Sequence, residues 1–409
     1  MRQAKPAVIF IFITLFLDIF GIGVIVPVLP KLVLEMQGGN EESASHAVGW
    51  LGSLYALMQF IFSPILGSLS DRFGRRPVIL VSLLGSAFDY LLLAWAPTLS
   101  WLLVGRIISG ITGANFSAAS AYIADVTPPE KRAAGYGMIG AAFGLGFIAG
   151  PAIGGLLGAY GLRVPFFVAA GVTALNWLYG MFVLPESLAK ENRRAFAWSA
   201  TNPFKSLLSL SQWPVVMGLA GSQFLMNIAH NIYPCLWVLY TGHRYHWDAK
   251  QVGYSLCLVG LTAAIVQGGL AGKLISRIGD RKGVIFGLST MAIAMFAYGL
   301  APEGWMIYVI ICLGAIGGIG GPAEQALISK AVPADQQGAV QGALGSLMSV
   351  SGILAPIIWG HLFALSISKD VGWHFPGLSF IFAGFLTILA LIPAVRVFRK
   401  LPDEMVASE

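Results

Sequence analysis

The chain is short of charge and short of cysteine. Asp, Glu, Lys and Arg make up 11% of its 409 residues, less than half of the ~25% usual in soluble domains. That shortage excludes an ordinary water-exposed globule. The three cysteines, Cys235, Cys257 and Cys312, stand in apolar stretches without metal-ligand spacing. An odd number argues against a disulfide framework, which leaves them as small apolar packing residues. Basic residues outnumber acidic ones by six, yet they fall in short polar stretches and not on one solvated face, so no nucleic-acid partner is expected. The alternating ~10-residue segments of a transmembrane β-barrel are missing. So are a nucleophile in a catalytic setting, a metal cluster and a soluble catalytic domain. No enzyme, resident cofactor or resident metal is expected.

What the chain has is hydrocarbon. It is 56% hydrophobic, with a mean hydropathy of +0.76, and its apolar residues come in runs of about twenty. Such a run lets an α-helix cross ~30 Å of lipid. The expectation is an all-α membrane protein with about twelve transmembrane helices. They fall near 7–29, 48–69, 78–96, 99–123, 135–158, 164–184, 213–240, 251–275, 283–301, 305–330, 338–366 and 375–397. The first run holds Asp18 and no small-residue cleavage site, so it reads as a helix and not a signal peptide. The longest polar interruption, Pro185 to Gln212, divides the chain into an N-terminal six-helix bundle (1–184), a linker (185–212) and a C-terminal six-helix bundle (213–409).

Basic residues orient these helices. With both termini inside, 19 of the 25 fall in cytoplasmic segments: Arg2, Lys5, Arg72, Arg75, Arg76, Lys131, Arg132, Lys190, Arg193, Arg194, Lys205, Lys273, Arg277, Arg281, Lys282, Lys330, Arg396, Arg399 and Lys400. Lys31, Arg163, Arg244, Lys250 and Lys369 fall on the other side, and Arg106 lies inside a helix. The positive-inside rule then places both termini in the cytoplasm.

The halves repeat. A shift of 205 residues takes Pro151 to Pro356, Gly137 to Gly342, Gly140 to Gly345 and Gly155 to Gly360. The same shift takes Pro128 to Pro333, Glu130 to Asp335, Arg72 to Arg277 and Gly74 to Gly279. One constant shift across two loops and a helix indicates a duplication. Duplicated halves related by an axis along the membrane normal are a transporter architecture.

Motifs follow from this frame. Gly67-Ser-Leu-Ser-Asp71-Arg72-Phe-Gly74-Arg75-Arg76 lies between the second and third helices. Its glycines permit a tight turn, and Asp71 can accept charge-assisted bonds from Arg72, Arg75 and Arg76, so the loop can latch one conformation and release another. It resembles the signature loop of the major facilitator superfamily. Its second-half counterpart, Gly272 to Lys282, has Ser276 where the first has an acid. In the fifth helix, Gly144 to Gly155 carries Gly150 and Pro151. There the proline kinks the rod and the glycines admit a neighbouring helix. This stretch is similar to the glycine-proline motif of drug–proton antiporters.

Four charges stand at membrane depth: Asp18, Asp89, Arg106 and Glu324. Each costs ~2.5–3.5 kcal/mol on insertion scales, which makes each a functional candidate. A carrier coupled to protons needs an acid that loads on one side and unloads on the other. Arg106, in Gly105-Arg106-Ile-Ile-Ser-Gly110, resembles the fourth-helix arginine that the superfamily links to coupling or internal pairing.

Around these charges the likeness narrows. Phe16-Leu-Asp18-Ile-Phe-Gly21-Ile-Gly23, Tyr55-Ala-Leu-Met-Gln59, Gly85-Ser-Ala-Phe-Asp89 and Trp237-Val-Leu-Tyr240-Thr resemble segments of the tetracycline-resistance efflux family, as does Gln336 to Gly342. The resemblance implies export of a planar, oxygen-rich drug, carried as a divalent-metal chelate, in exchange for protons. It also implies coupling or substrate roles for Asp18 and Asp89 and a gate at Asp71, Arg75 and Arg76. The chain departs from that family in two places. The ninth helix lacks its acid, with Met291 in that position, and the eighth lacks its histidine. Glu324 is the candidate replacement acid.

Gln59, Asn115, Asn176, Gln223, Asn227, His230, Asn231 and Gln325 are the remaining polar residues at membrane depth and candidates for substrate contact. Gln223, Asn227, His230 and Asn231 share one helix face. Trp50, Trp95, Trp101, Trp247 and Trp305 read as interface anchors. The leading expectation is a proton-coupled antiporter exporting amphipathic, tetracycline-like drugs from the bacterial inner membrane. The alternative is a transporter of the same fold for an endogenous metabolite or siderophore, with drug export incidental.

Overall fold

A hydrocarbon interior offers the backbone no water, so each crossing segment must satisfy its own N–H and C=O groups as a helix. The computed structural model describes residues 4–127, 132–194, 196, 210–333, 336–369 and 374–399. Of the residues named above, Arg2, Pro128, Glu130, Lys131, Lys205, Asp335 and Lys400 lie outside them. The described residues contain seventeen α-helices and no strand. The first eight are α1 (Ala4–Ile25), α2 (Leu29–Met36), α3 (Glu41–Phe73), α4 (Arg75–Trp95), α5 (Leu99–Gly113), α6 (Phe116–Val126), α7 (Arg132–Gly158) and α8 (Val164–Val183). After the linker come α9 (Pro214–His230), α10 (Ile232–Tyr245), α11 (Ala249–Ile265), α12 (Ala271–Ile278), α13 (Asp280–Leu300), α14 (Gly304–Ala315), α15 (Gly320–Lys330), α16 (Gln337–Ile367) and α17 (Leu378–Phe398). By length and composition, ten stretches can cross a membrane, and Gly144–Gly158 adds a shorter apolar helix. The protein is a multi-pass membrane protein with an all-α fold.

The chain forms two compact units. One comprises Met1–Gly39, Leu54–Asn202 and Asp248–Cys257, the other Asn40–Ser53, Pro203–Trp247 and Leu258–Glu409. Within the first, α1 packs on α7 and α8, and α4 packs on α8 and α5. Within the second, α9 packs on α16 and α17, and α13 packs on α17 and α15. The two packing patterns correspond under the repeat of the sequence. Each unit has its own apolar core. Ile11, Leu15, Ile79, Leu83 and Tyr122 are central in the first, and Val216, Leu219, Ala323, Leu344 and Ala390 in the second.

Lipid gives apolar surfaces little reason to leave it, so helices associate where small residues allow backbone contact. The glycine-proline segment of α7 is such a seam. A Cβ on Gly150 would lie 2.7 Å from the Gly23 Cα and 2.9 Å from the Phe20 carbonyl oxygen of α1. On its other side, Pro151 and Gly155 face Gly253. The repeat supplies the same device in the second unit, where Gly49 and Gly52 meet Pro356 and Gly49 also faces Gly360.

The five tryptophans differ in exposure. Trp50, Trp95, Trp101 and Trp305 are exposed, whereas Trp247 is only 6% exposed. The reason is local: Gly304 has no side chain to keep the indole out, and Tyr308 packs against it at 5.3 Å between ring centroids. The cysteines are free, with Cys235 buried and Cys312 exposed.

Overpacking a close helix seam costs about 1–3 kcal/mol. Gly150→Val is therefore expected to lower the melting temperature of the detergent-solubilised protein. Gly144→Ala, whose new methyl would meet nothing within 4 Å, is expected to leave it unchanged. Equal melting temperatures for the two variants in a thermal-shift assay would contradict the seam.

Candidate functional site

The loop between α3 and α4 is organised around one guanidinium. Arg75 is 8% exposed, and a charge so placed needs partners on every side. Its Nη1 donates to the carboxylate of Asp71 and to Ser70 Oγ at 2.7 Å, and its Nε donates to Asp125 Oδ2 at 3.1 Å. The backbone is held as well. Glu186 Oε1 accepts the N–H groups of Arg75 (2.9 Å), Ser187 (3.0 Å) and Leu188 (3.1 Å), while Ser187 Oγ donates to Asp125. Gly74 turns with φ of 105°, a conformation that favours glycine, and a side chain there would collide with the Glu186 carboxylate. Arg76 reaches the Met181 carbonyl at the end of α8. Arg72 lies apart, its guanidinium 5.0 Å from the centre of the Phe73 ring. Asp125 and Glu186 are the partners that motif reading missed. The signal for Asp125 was its place at the end of the fourth crossing; nothing in the linker sequence pointed to Glu186.

The second-half loop carries the same construction with its signs exchanged. Gly279, the counterpart of Gly74, turns with φ of 81°. The next residue is Asp280 in place of Arg75, and the counterpart of Asp125 is Lys330. Lys330 Nζ donates to Asp280 Oδ2 at 2.8 Å. Asp280, not Ser276, is therefore the acid that matters there; the Ser276 hydroxyl bonds its own helix at Lys273.

At membrane depth in the first unit, Asp89 of α4 is 1% exposed. Ser109 Oγ of α5 donates to one of its oxygens, and the other has no partner. Arg106, on the same helix as Ser109, has no carboxylate within ion-pair distance among the described residues. Its guanidinium instead lies 5.6 Å from the centre of the Tyr55 ring, with Nε unpartnered. Gln59 Nε2 donates to the Tyr55 hydroxyl at 2.9 Å. Asp18 of α1 is half-buried and accepts a long bond of 3.5 Å from Asn115 Nδ2, at the break between α5 and α6. The structure thus gathers Asp18, Gln59, Asp89, Arg106 and Asn115 in one unit, joined by Tyr55 and Ser109, which sequence reasoning missed. Asn176 is different. It is fully buried and donates to the Thr14 carbonyl at 2.9 Å, tying α8 to α1.

In the second unit, Glu324 is 2% exposed at the start of α15, after a tight 3-10 turn over Ile316–Ile319. The Ser222 hydroxyl of α9 stands beside it, and one carboxyl oxygen has no partner. Gln325 is half-buried. Along α9 the Gln223 carbonyl oxygen and the Asn227 amide nitrogen are unpartnered, His230 is exposed, and Asn231 bonds back to the Asn227 carbonyl at 2.8 Å. His230 packs edge-on against Tyr233 at 5.2 Å. Tyr233 also meets Trp237 and Tyr298, and its hydroxyl faces the Met291 sulfur at 3.9 Å. Tyr233, Trp237 and Tyr240 are spaced as one helix stripe, a pattern visible in the sequence but indistinguishable there from core packing.

Two units with matching helix packing, a glycine-cornered charged loop and isolated intramembrane acids agree with the sequence comparison, which matches the Major Facilitator Superfamily over residues 11–356 and 219–408. The chain belongs to that superfamily. It is 42% identical over 394 residues to the class C tetracycline resistance protein of Escherichia coli, covering 96% of this chain and 97% of that one. It is 41% identical to the class D tetracycline resistance protein of Salmonella ordonez, covering 88% and 90%. The fold is also that of the nucleoside transporter NupG, with a TM-score of 0.76 at 12% identity over 96% of this chain and 99% of the other. Within the superfamily the chain groups with the tetracycline resistance proteins. It is a transporter and not an enzyme.

Losing a hydrogen bond to a charged partner costs about 1–3 kcal/mol. Asp280→Lys alone is expected to lower the melting temperature, and Asp280→Lys combined with Lys330→Asp to restore most of the loss. A double variant no more stable than the single one would show that the pair does not bind through its charges.

Proposed function

We propose that the chain exports amphipathic drugs of the tetracycline class from the bacterial cytoplasm across the inner membrane, in exchange for protons, by alternating access. The observation that carries this reading is a pair of unpaired acids. Asp89 and Glu324 each lie inside a membrane span with one carboxyl oxygen that has no partner. A static structural acid at that depth would be held by a counter-ion; an acid that trades its proton needs a free oxygen. The high identity to tetracycline resistance proteins supports the substrate class.

In this reading Asp89, Arg106 and Glu324 carry the coupling, and Asp18 takes part in both coupling and binding. Gln59, Asn115, Gln223, Asn227, His230 and Gln325 contact the drug. A planar, oxygen-rich drug would travel as its divalent-metal chelate, so the metal is cargo and leaves with it. Asp18, half-buried and held by one long bond, has oxygen to spare for a cation, the donor type that hard divalent ions take. Asp71, Arg72, Arg75, Arg76, Gly150 and Pro151 form the gate. Both termini lie in the cytoplasm, and the moving bodies are the bundles 1–184 and 213–409 joined by the linker 185–212.

A second reading keeps the fold and coupling but makes the cargo an endogenous metabolite or siderophore. Met291 favours it. A thioether under the Tyr233 hydroxyl stands where the tetracycline-resistance family has an acid, so the second unit presents a softer, less charged wall.

Everted membrane vesicles test the proposal. A tetracycline-like drug is expected to accumulate when a proton gradient is imposed and to stop when it is collapsed. Asp89→Asn and Glu324→Gln are each expected to abolish the gradient-dependent part while leaving expression intact. Full gradient-dependent transport by Glu324→Gln would remove that residue from coupling, and no protection against any drug in cells lacking native pumps would favour the metabolite reading. Asp71→Asn is expected to lower turnover more than affinity, because it loosens a latch and touches no drug; lost affinity at wild-type turnover would refute the gate.

A further inference from the structure

Histidine is rare in this chain, with six residues in all, yet the second unit brings His243 and His374 together, their rings tilted by 49°. His243 closes the last turn of α10, and its ring packs edge-on against Phe363 of α16. Its Nδ1 meets the carboxylate of Glu41 at the start of α3. Its other nitrogen, Nε2, points at Nε2 of His374, 3.3 Å away. His374 is exposed, and the Phe375 N–H, bonded to the Ser366 carbonyl at 3.0 Å, holds the chain beside it in place.

That separation is compatible with two bonding schemes. A direct N–H donor bond centres near ~2.9–3.0 Å. Two imidazole nitrogens on one tetrahedral ion, each at ~2.0–2.1 Å from it, lie ~3.3–3.4 Å apart. Octahedral neighbours at the same bond length would be about 2.9 Å apart. The observed spacing, within reach of a hydrogen bond between the two rings, also matches the edge of a tetrahedron. The carboxylate behind His243 completes the pattern, because metal-bound histidines characteristically give their second ring N–H to such a group, fixing the tautomer and aiming the free lone pair outward.

The geometry points to a divalent transition-metal site, of the kind zinc fills, bridging His243 and His374 with Glu41 as the outer carboxylate. No group of three His, Cys, Asp or Glu side chains suited to holding one ion exists among the described residues, so water occupies the remaining positions and the ion exchanges with solvent. It would tie together the start of α3, the end of α10 and the segment before α17. The site is separate from any metal carried by the drug, since it is built from imidazole and not from carboxylate and carbonyl oxygen, and it holds in the absence of cargo.

The test uses tag-free, full-length protein in detergent, without drug, dialysed against zinc near neutral pH. About one equivalent of zinc is expected to remain bound, and cobalt in its place is expected to give the intense visible bands of a tetrahedral ion. His374→Ala, at an exposed position that the fold does not depend on, is expected to weaken binding by more than tenfold. Glu41→Gln is expected to weaken it about tenfold, in the range for outer carboxylates, with the circular dichroism unchanged. His230→Ala is expected to bind as wild type. No retained zinc in the wild type, zinc binding by His374→Ala equal to wild type, or the pale spectrum of octahedral cobalt would each overturn the site.

Discussion

Everything in this molecule answers to the absence of water between the two faces of a bilayer. Backbone groups turn inward to helices because no solvent can take their hydrogen bonds. Helices then meet through glycine, since in lipid close contact counts for more than greasy surface. Polar side chains at this depth close on a neighbour, as the Asn176 amide does on the Thr14 carbonyl, or keep a buried atom open, as Asp89 and Glu324 do.

The repeat shows how that separation was inherited. Both units pair their first helix with their last two, and both seal a proline-bearing helix against a glycine pair from elsewhere in the chain. The loops at the charged end were copied with their glycine corners intact, while the ions at the corner were not. Duplication preserved shape more faithfully than charge. The cores of the two units are alike in character, but one holds Asp89, Arg106 and Tyr55, and the other holds Glu324 beside Ser222 and an aromatic cluster around Tyr233. The two halves therefore hold different polar groups inside similar frames.

Most of the architecture was legible in the residues. Runs of apolar residues announce crossings, a constant offset announces duplication, and intramembrane acids stand out by their expense. The site was legible only in outline, because a sequence names charged residues and not their company. Arg106 read as a coupling or pairing charge, and it does feel the charge of Asp89, but the Tyr55 ring beside it carries no signal in the sequence. Ser109 carries no signal in one sequence, although it holds Asp89. Glu186 lies in a polar linker where an acid is unremarkable, and three backbone N–H groups make it the anchor of the loop. The burial of Trp247 carried no signal either, because it follows from the room that the glycine at 304 leaves for its ring. In each case the missing information was a contact between residues far apart in the chain.

The exchanged ions of the two loops bear on how such proteins diverge. Attraction between opposite charges is indifferent to which side carries which, so Arg75 with Asp125 and Lys330 with Asp280 can close the same corner but cannot be exchanged by single charge reversals. Any single step passes through two like charges in contact. Each pair also sums to zero, so the exchange leaves no mark on the tally of basic residues that orients a chain in its membrane. A lineage can therefore carry either arrangement, and in a family tree the two positions are expected to change together or not at all.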